Sequence, residues 1–376
     1  MKKIVVYHPF LNVVGGAEQV IKSLVEHLAI NNSVHIISHD ECKINVPNVV
    51  HTKVEVPSKK FNLISSIDVS KKIKRLLKEN PYDILIVSNA SPVVDYLISR
   101  KEKTKGLHFC WCHEPRRSIF YKEMGDMNRN EEGIKTRIRI GIYKKLYIKS
   151  YKSHYDKIIV YSEFIKNILK EKLRVNNDKI VRIPWGINVN SISWKPLIES
   201  KKVLYVGRIN ESKNTYRLIK AMRIVKREVK DSKLTIVGPI GETEENRFFS
   251  ALKEAEDAVE YLGIKMGKEL QRLYEEAQVV AYPVINEPWG LVPLEAMANA
   301  RAVIVGTGGP RETVENGITG FYVNPFDIKD IAEKIISLLV DFNLCESMGI
   351  NGRKKVEKEF DISKTYSAVD KLIEQS

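Results

Sequence analysis

What most constrains this chain is a repeating order of short β-branched runs and amphipathic stretches. KIVVY precedes AEQVIKSLVEHLA, YDILIVS precedes VVDYLISR, and KIIVYS precedes EFIKNILKEKL. Apolar residues recurring every three to four positions read as helices, and short apolar or alternating runs read as strands. Their alternation builds βαβ units and a parallel sheet. After IPWGINVNSISWKPL, rich in Pro, Gly, Asn, Ser and Trp, the pattern restarts with KKVLYVG, TYRLIKAMRIVKREV, KLTIVG, ELQRLYEEA, VVAYPV, PLEAMANA and RAVIVG. Two α/β sheets in series are therefore expected, joined near residues 185–198, with SKTYSAVDKLIEQS as a closing helix. At 376 residues the chain is long enough for two full cores.

The composition excludes several classes. No stretch approaches the ~18 consecutive apolar residues of a membrane span. The opening MKKIVVYHPF reads as a first strand rather than a leader, because its apolar run ends at His8 and Pro9. Cys42, Cys110, Cys112 and Cys345 form no C-x-x-C pair, which predicts free thiols in a reducing cytosol. The net charge of +14 biases the chain toward anionic partners: nucleic acid, anionic lipid or phosphorylated small molecules. No recognised RNA or DNA motif accompanies it, so nucleic acid is not expected. Between Arg100 and Lys152, Lys and Arg outnumber Asp and Glu by more than two to one. There IKTRIRIGIYKKLYIKSY mixes basic and apolar residues at helical spacing, as either a membrane-surface helix or a solvated basic face would.

In open parallel sheets, ligands bind at the loops that follow the carboxyl ends of strands. The segment NEPWGLVPLEAM lies between strand VVAYPV and helix PLEAMANA. Pro293 suits a first helical turn, which would put Glu287 in the loop and Glu295 in that turn. A helix N-terminus preceded by Gly290 is an anion cradle. Two carboxylates beside an anion cannot ligate it, but they can accept hydrogen bonds from hydroxyl-bearing rings on either side of it. A nucleotide-sugar has that shape, although Glu295 could equally serve only the helix dipole.

Other strand-end loops carry complementary groups. YVGRINESKN offers Arg208 and Lys213, two cations able to grip a diphosphate, and contains no Walker A pattern. VGTGGPRETV offers the Gly308-Gly309 pair for close backbone approach, and Glu312 as a further hydroxyl acceptor or helix-terminal charge. Gly15 and Gly16 lie between the first strand and helix, where amides can face a phosphate. No G-x-G-x-x-G is present there, which argues against a dinucleotide oxidoreductase. LHFCWCHEP ends its strand at His113.

Taken together and in this order, these residues resemble the retaining nucleotide-sugar glycosyltransferase family 4. EPWGLVPLEAMA resembles its E-x7-E signature, GRINESK its G-R-x-x-x-x-K loop and GGPRETVENGITGFYV its G-G-x-x-E region. The likeness extends to GGAE, PWGIN, YSEF and FDISKTYSAVDKLI, and so spans nearly the whole chain. It implies an α/β GT-B fold, two Rossmann-like parallel-sheet domains facing across a cleft. The expected boundaries are 1–190 for the acceptor-side domain and 191–360 for the donor domain, with 361–376 crossing back to the first. By the same resemblance Arg208 and Lys213 neutralise the departing diphosphate, Glu295 holds the ribose hydroxyls and Glu287 contacts the transferred sugar. The amides of Gly290 and Leu291 approach the phosphates, Gly16 lies by them from the opposite domain, and His113 stands near the sugar.

The resemblance further implies a retaining reaction with no cofactor and no metal, since no Asp-x-Asp occurs. HEPRR is similar to the H-x-P-x-R subset in which mannosyltransferases are frequent, which points to GDP-mannose. The alternatives are a UDP-sugar transferase, a sugar-phosphate synthase or epimerase of the same fold, or an inactive glycosyltransferase-like binding protein. The expected setting is cytoplasmic, peripheral at the inner membrane face, with a glycan or lipid-linked acceptor. One departure stands out: the family commonly has Gly directly after the loop lysine, where this chain has Asn214.

Overall fold

The computed structural model describes residues 1–12, 15–41, 44, 46–56, 63–100, 106–120, 122, 124 and 133–376. Cys42 and part of the basic stretch after Arg100 lie outside the described residues. The chain divides into two compact units, Met1–Pro184 with Tyr366–Ser376, and Trp185–Thr365.

The first unit is built on a seven-stranded parallel sheet. Its strands are β1 (Lys3–Tyr7), β2 (Ser33–Ser38), β3 (Val49–Lys53), β4 (Ile84–Ser88), β5 (Leu107–Trp111), β6 (Lys157–Val160) and β7 (Ile180–Arg182), in the order 3-2-1-4-5-6-7. The central strands are buried on both faces, so ILIVS of β4 shows no polar alternation. Helix Gly16–Leu28 turns Val20, Ile21, Leu24, Val25 and Leu28 inward at helical spacing. Its outer side receives the end of the chain. His27 Nε2 meets Asp370 Oδ1 at 2.8 Å, the His27 and Tyr366 rings stack at 4.0 Å, and Ser23 Oγ lies 2.6 Å from Tyr366 Oη.

The second unit repeats the plan with six strands: β8 (Lys202–Val206), β9 (Lys233–Val237), β10 (Val259–Tyr261), β11 (Val279–Tyr282), β12 (Ala302–Val305) and β13 (Gly320–Tyr322), ordered 10-9-8-11-12-13. In both sheets chain order reverses direction at one point, between β1 and β4 and between β8 and β11. Loops diverge at such switch points and leave room for a ligand. Among the described residues no helix is long and apolar enough to cross a membrane.

Candidate active site

The second unit gathers its polar residues at the β8/β11 switch point. After β8 the chain turns through Gly207, whose φ of +152° only glycine adopts readily. Asn210 Oδ1 accepts from the Lys213 amide at 2.9 Å and caps the short turn Glu211–Lys213. The next residue, Asn214, is left-handed (φ +61°), a conformation asparagine tolerates best after glycine. Its buried side chain uses that geometry. Nδ2 donates to the carbonyls of Pro283 at 2.9 Å and Pro325 at 2.6 Å, and Oδ1 accepts from Arg217 at 3.0 Å. The departure from glycine therefore preserves the backbone and ties the cation loop to the end of β11. The signal was readable, since Asn is the other residue that fits this region.

Lys213 points toward β11. Its Nζ lies 2.5 Å from Glu287 Oε2 and 6.0 Å from the centre of the Tyr282 ring. Arg208 is exposed, with its carbonyl held by Tyr205 Oη at 3.0 Å, and no carboxylate pairs with it among the described residues.

Glu287 is fixed by its backbone. Its amide donates to Thr307 O at 3.0 Å and its carbonyl accepts from Gly309 N at 2.7 Å. The Gly308-Gly309 pair does permit a close approach, and the approaching partner is this loop. A Cβ on Gly308, at φ +97°, would stand 2.3 Å from Glu287 O, and one on Gly309 would stand 2.3 Å from Pro288 O. Glu312 follows in the short helix Pro310–Thr313, half-buried, its amide on Gly309 O.

Gly290, at φ +88°, caps helix Leu291–Ala298, which has no side-chain cap. Its first amides, those of Leu291 among them, are open as a helix N-terminus leaves them. The helix begins two residues before Pro293, so Glu295 lies in the second turn, not the first as the sequence suggested. That geometry weakens a role in complementing the dipole, which fades beyond the first turn. Glu295 Oε2 instead accepts from Tyr274 Oη at 2.7 Å. Burial raises the Glu295 carboxyl above its ordinary range, and the Tyr274 bond counters this only in part. Tyr274 is itself anchored by Arg301, a fully buried arginine whose Nε donates to Tyr274 O at 3.0 Å. Neither residue was singled out from the sequence, because a tyrosine and an arginine in separate elements carry no local pattern.

In the first unit, His113 closes a hydrogen-bonded row. Its Nε2 is 2.9 Å from Ser88 Oγ and its Nδ1 is 2.6 Å from Tyr161 Oη. Ser88 also meets His8 Nδ1 at 2.9 Å. Burial, followed by the neighbouring His8, pushes the His113 pKa down to about 3, so the ring is neutral. Gly16 opens helix Gly16–Leu28 on the same sheet edge, after β1, and Glu18 sits in its first turn.

Residues 189–355 match the family described as Glycosyl transferases group 1, and residues 14–191 match Glycosyltransferase Family 4. An uncharacterized glycosyltransferase of Methanocaldococcus jannaschii, MJ1607, is 29% identical over 58% of this chain and 60% of its own length. The capsular polysaccharide biosynthesis glycosyltransferase CapM of Staphylococcus aureus is 33% identical over 50% of this chain. The match spans 48% of CapM, so the shared stretch is about half to three-fifths of these two relatives. The solved structure of Anabaena Alr3699/HepE in complex with UDP-glucose superposes over 100% of both chains with a TM-score of 0.80 at 16% identity.

Two parallel sheets of this topology, the two family matches in tandem and that superposition define a GT-B glycosyltransferase fold. The chain belongs to the group 1, family 4 glycosyltransferases.

Proposed function

We propose that the protein transfers a hexosyl group from a nucleoside-diphosphate sugar to a hydroxyl of a glycan or lipid-linked acceptor, with retention of configuration and without a metal. The observation that carries this reading is the Lys213–Glu287 pair, set beside the open N-terminus of helix Leu291–Ala298. Lys213 and Arg208 take the charge of the departing diphosphate, together with the amides of Gly290 and Leu291. Those cations supply the positive charge that a metal would otherwise provide. Glu287, released from Lys213, accepts hydroxyl protons of the transferred sugar, and Glu295 accepts from the ribose. We assign Glu312 to the same donor, Gly16 to the phosphates and His113 to the sugar. The sugar carbon gains oxocarbenium character as the diphosphate leaves, and the acceptor hydroxyl attacks from the same face.

HEPRR favours GDP-mannose as donor. A UDP-sugar is the second reading, supported by the UDP-glucose bound to the HepE neighbour. The test is a thermal-shift panel of GDP, UDP, ADP and their sugar conjugates, since a bound ligand raises the melting temperature by mass action. A shift with guanine nucleotides alone supports the mannosyl reading, and a shift with uridine nucleotides replaces it.

We also propose a cytoplasmic protein acting at an anionic membrane face. Helix Ile134–Lys149 carries Lys135, Arg137, Arg139, Lys144, Lys145 and Lys149 and no acidic residue. Ile134, Ile138 and Ile142, one turn apart each, are 76%, 60% and 53% exposed. An apolar stripe flanked by cations suits the headgroup boundary of anionic lipid. Ile138→Glu is expected to abolish sedimentation with anionic vesicles at low salt. Failure of the unaltered protein to sediment removes the membrane part and leaves the transferase.

A further inference from the structure

The hydrogen bonds along the carboxyl edge of the first sheet have a direction, and the direction assigns protons. Tyr161 Oη to His113 Nδ1 measures 2.6 Å. That is shorter than the ~2.7–3.2 Å of N–H donors and within the range of hydroxyl donors. That length suits a phenol donating to the imidazole, with Nδ1 as the acceptor. The phenol oxygen in turn accepts from the Trp111 indole N–H at 2.8 Å, a group that can only donate. A neutral imidazole has one donor and one acceptor nitrogen, so His113 carries its proton on Nε2 and gives it to Ser88 Oγ at 2.9 Å. The Ser88 proton then turns to His8 Nδ1 at 2.9 Å. This leaves the His8 proton on Nε2, 3.7 Å from Glu18 Oε1.

Four neighbouring strands supply the row, since His8 follows β1, Ser88 ends β4, His113 lies just past β5 and Tyr161 follows β6. His8 is fully buried, and its Nε2 has no hydrogen-bond partner. The Glu18 carboxylate at 3.7 Å is its nearest counter-group, so the buried end of the row is closed off by charge and only the other end reaches the surface. The row is better understood as serving the residue at its exposed side, the half-buried His113.

We propose that Tyr161, Ser88 and His8 are positioning residues that fix His113 as the Nε2–H tautomer and hold its ring in one orientation for sugar transfer. The functional half rests on the reading of His113 given above, whereas the tautomer does not. The experiment is an imidazole nitrogen–proton correlation spectrum of the full chain at neutral pH, recorded without donor, alongside steady-state kinetics. The spectrum is expected to show His113 and His8 both protonated on Nε2. Tyr161→Phe, which keeps the ring, removes the donor to Nδ1 and is expected to give a mixture of His113 tautomers. It is further expected to lower kcat about tenfold with donor KM nearly unchanged. Ser88→Ala should disturb both histidines in the spectrum.

A His113 proton on Nδ1 in the unaltered protein overturns the assignment. So does a tautomer unmoved by both variants. A shifted tautomer with unchanged kcat overturns the positioning role. Because the spectrum is read without donor, failure of the row and failure of the transferase reading register in different measurements.

Discussion

Lys213 Nζ and Glu287 Oε2 stand 2.5 Å apart, joining the loops that follow two neighbouring strands of the second sheet. The side chains are 25% and 13% exposed. The ammonium is therefore already partnered, and on the proposed reading an incoming diphosphate draws it from the carboxylate, which frees Glu287 to accept a hydroxyl. Truncating one partner of a pair so little exposed leaves the remaining carboxylate poorly solvated, which costs more than the loss of an exposed pair. Lys213→Ala is expected to lower the melting temperature by several degrees while keeping a cooperative transition. The same melts should show the rise produced by nucleoside diphosphates to be lost.

Glu295 and Tyr274 form the second test. If Glu295 receives ribose hydroxyls, its truncation removes hydrogen bonds to a carboxylate, each of the order of 1.5–3 kcal/mol. Glu295→Ala should raise the donor KM about 10- to 100-fold with kcat within about threefold, the mark of binding shared by ground and transition states. Tyr274→Phe should do the same more weakly. Initial rates over a donor series decide it, and a fall in kcat alone contradicts the assignment.

Asn214 combines a left-handed backbone with two side-chain bonds to carbonyls. Asn214→Gly keeps the conformation and loses the bonds, which should cost about 1–2 kcal/mol. Asn214→Ala loses both and adds the ~1–2 kcal/mol of a left-handed Cβ. Urea unfolding should therefore order the stabilities as Asn, then Gly, then Ala. Equal stabilities of Gly and Ala contradict the backbone argument.

Acid should destabilise the first unit. Burial lowers the pKa of His113 to about 3 and of His154 to about 4, against ~6.5 in the unfolded chain. Between about pH 4 and 6.5 the unfolded state binds protons that the native histidines refuse, so stability rises with pH across that window. Asp95 acts in the opposite sense. Burial lifts it to about 7, and its proton is held by the native state. Burial also lowers His35 and His39 in this unit, so the histidines together outweigh the one carboxyl and stability should rise with pH across the window. Asp95→Asn should steepen the slope and His113→Asn should flatten it, in chemical denaturation run from pH 4.5 to 7.

The central strands were legible because burial on both faces leaves runs such as KIVVY and VVAY with no other reading. The loops were legible because glycine and charge at strand ends fall where a parallel sheet places ligands. The sequence places Glu295 in the first turn because Pro293 suits that turn, whereas the helix starts two residues earlier, at Leu291. The supporting residues were not legible. Tyr274 reaches Glu295 across 21 positions and Tyr161 reaches His113 across 48, and such pairings depend on sheet order, which no local pattern reports. The role of Gly308 was half visible. The sequence indicated a close backbone approach, and only the structure identifies the Glu287 loop as what approaches.

The most direct test of the central claim is release of nucleoside diphosphate from a panel of GDP-, UDP- and ADP-sugars, followed by phosphorus NMR with and without a chelator. Slow release from one nucleotide class is expected, unaffected by the chelator and reduced at least ~100-fold in folded Lys213→Ala. Release from no donor by the folded protein, or equal release by the variant, would contradict it.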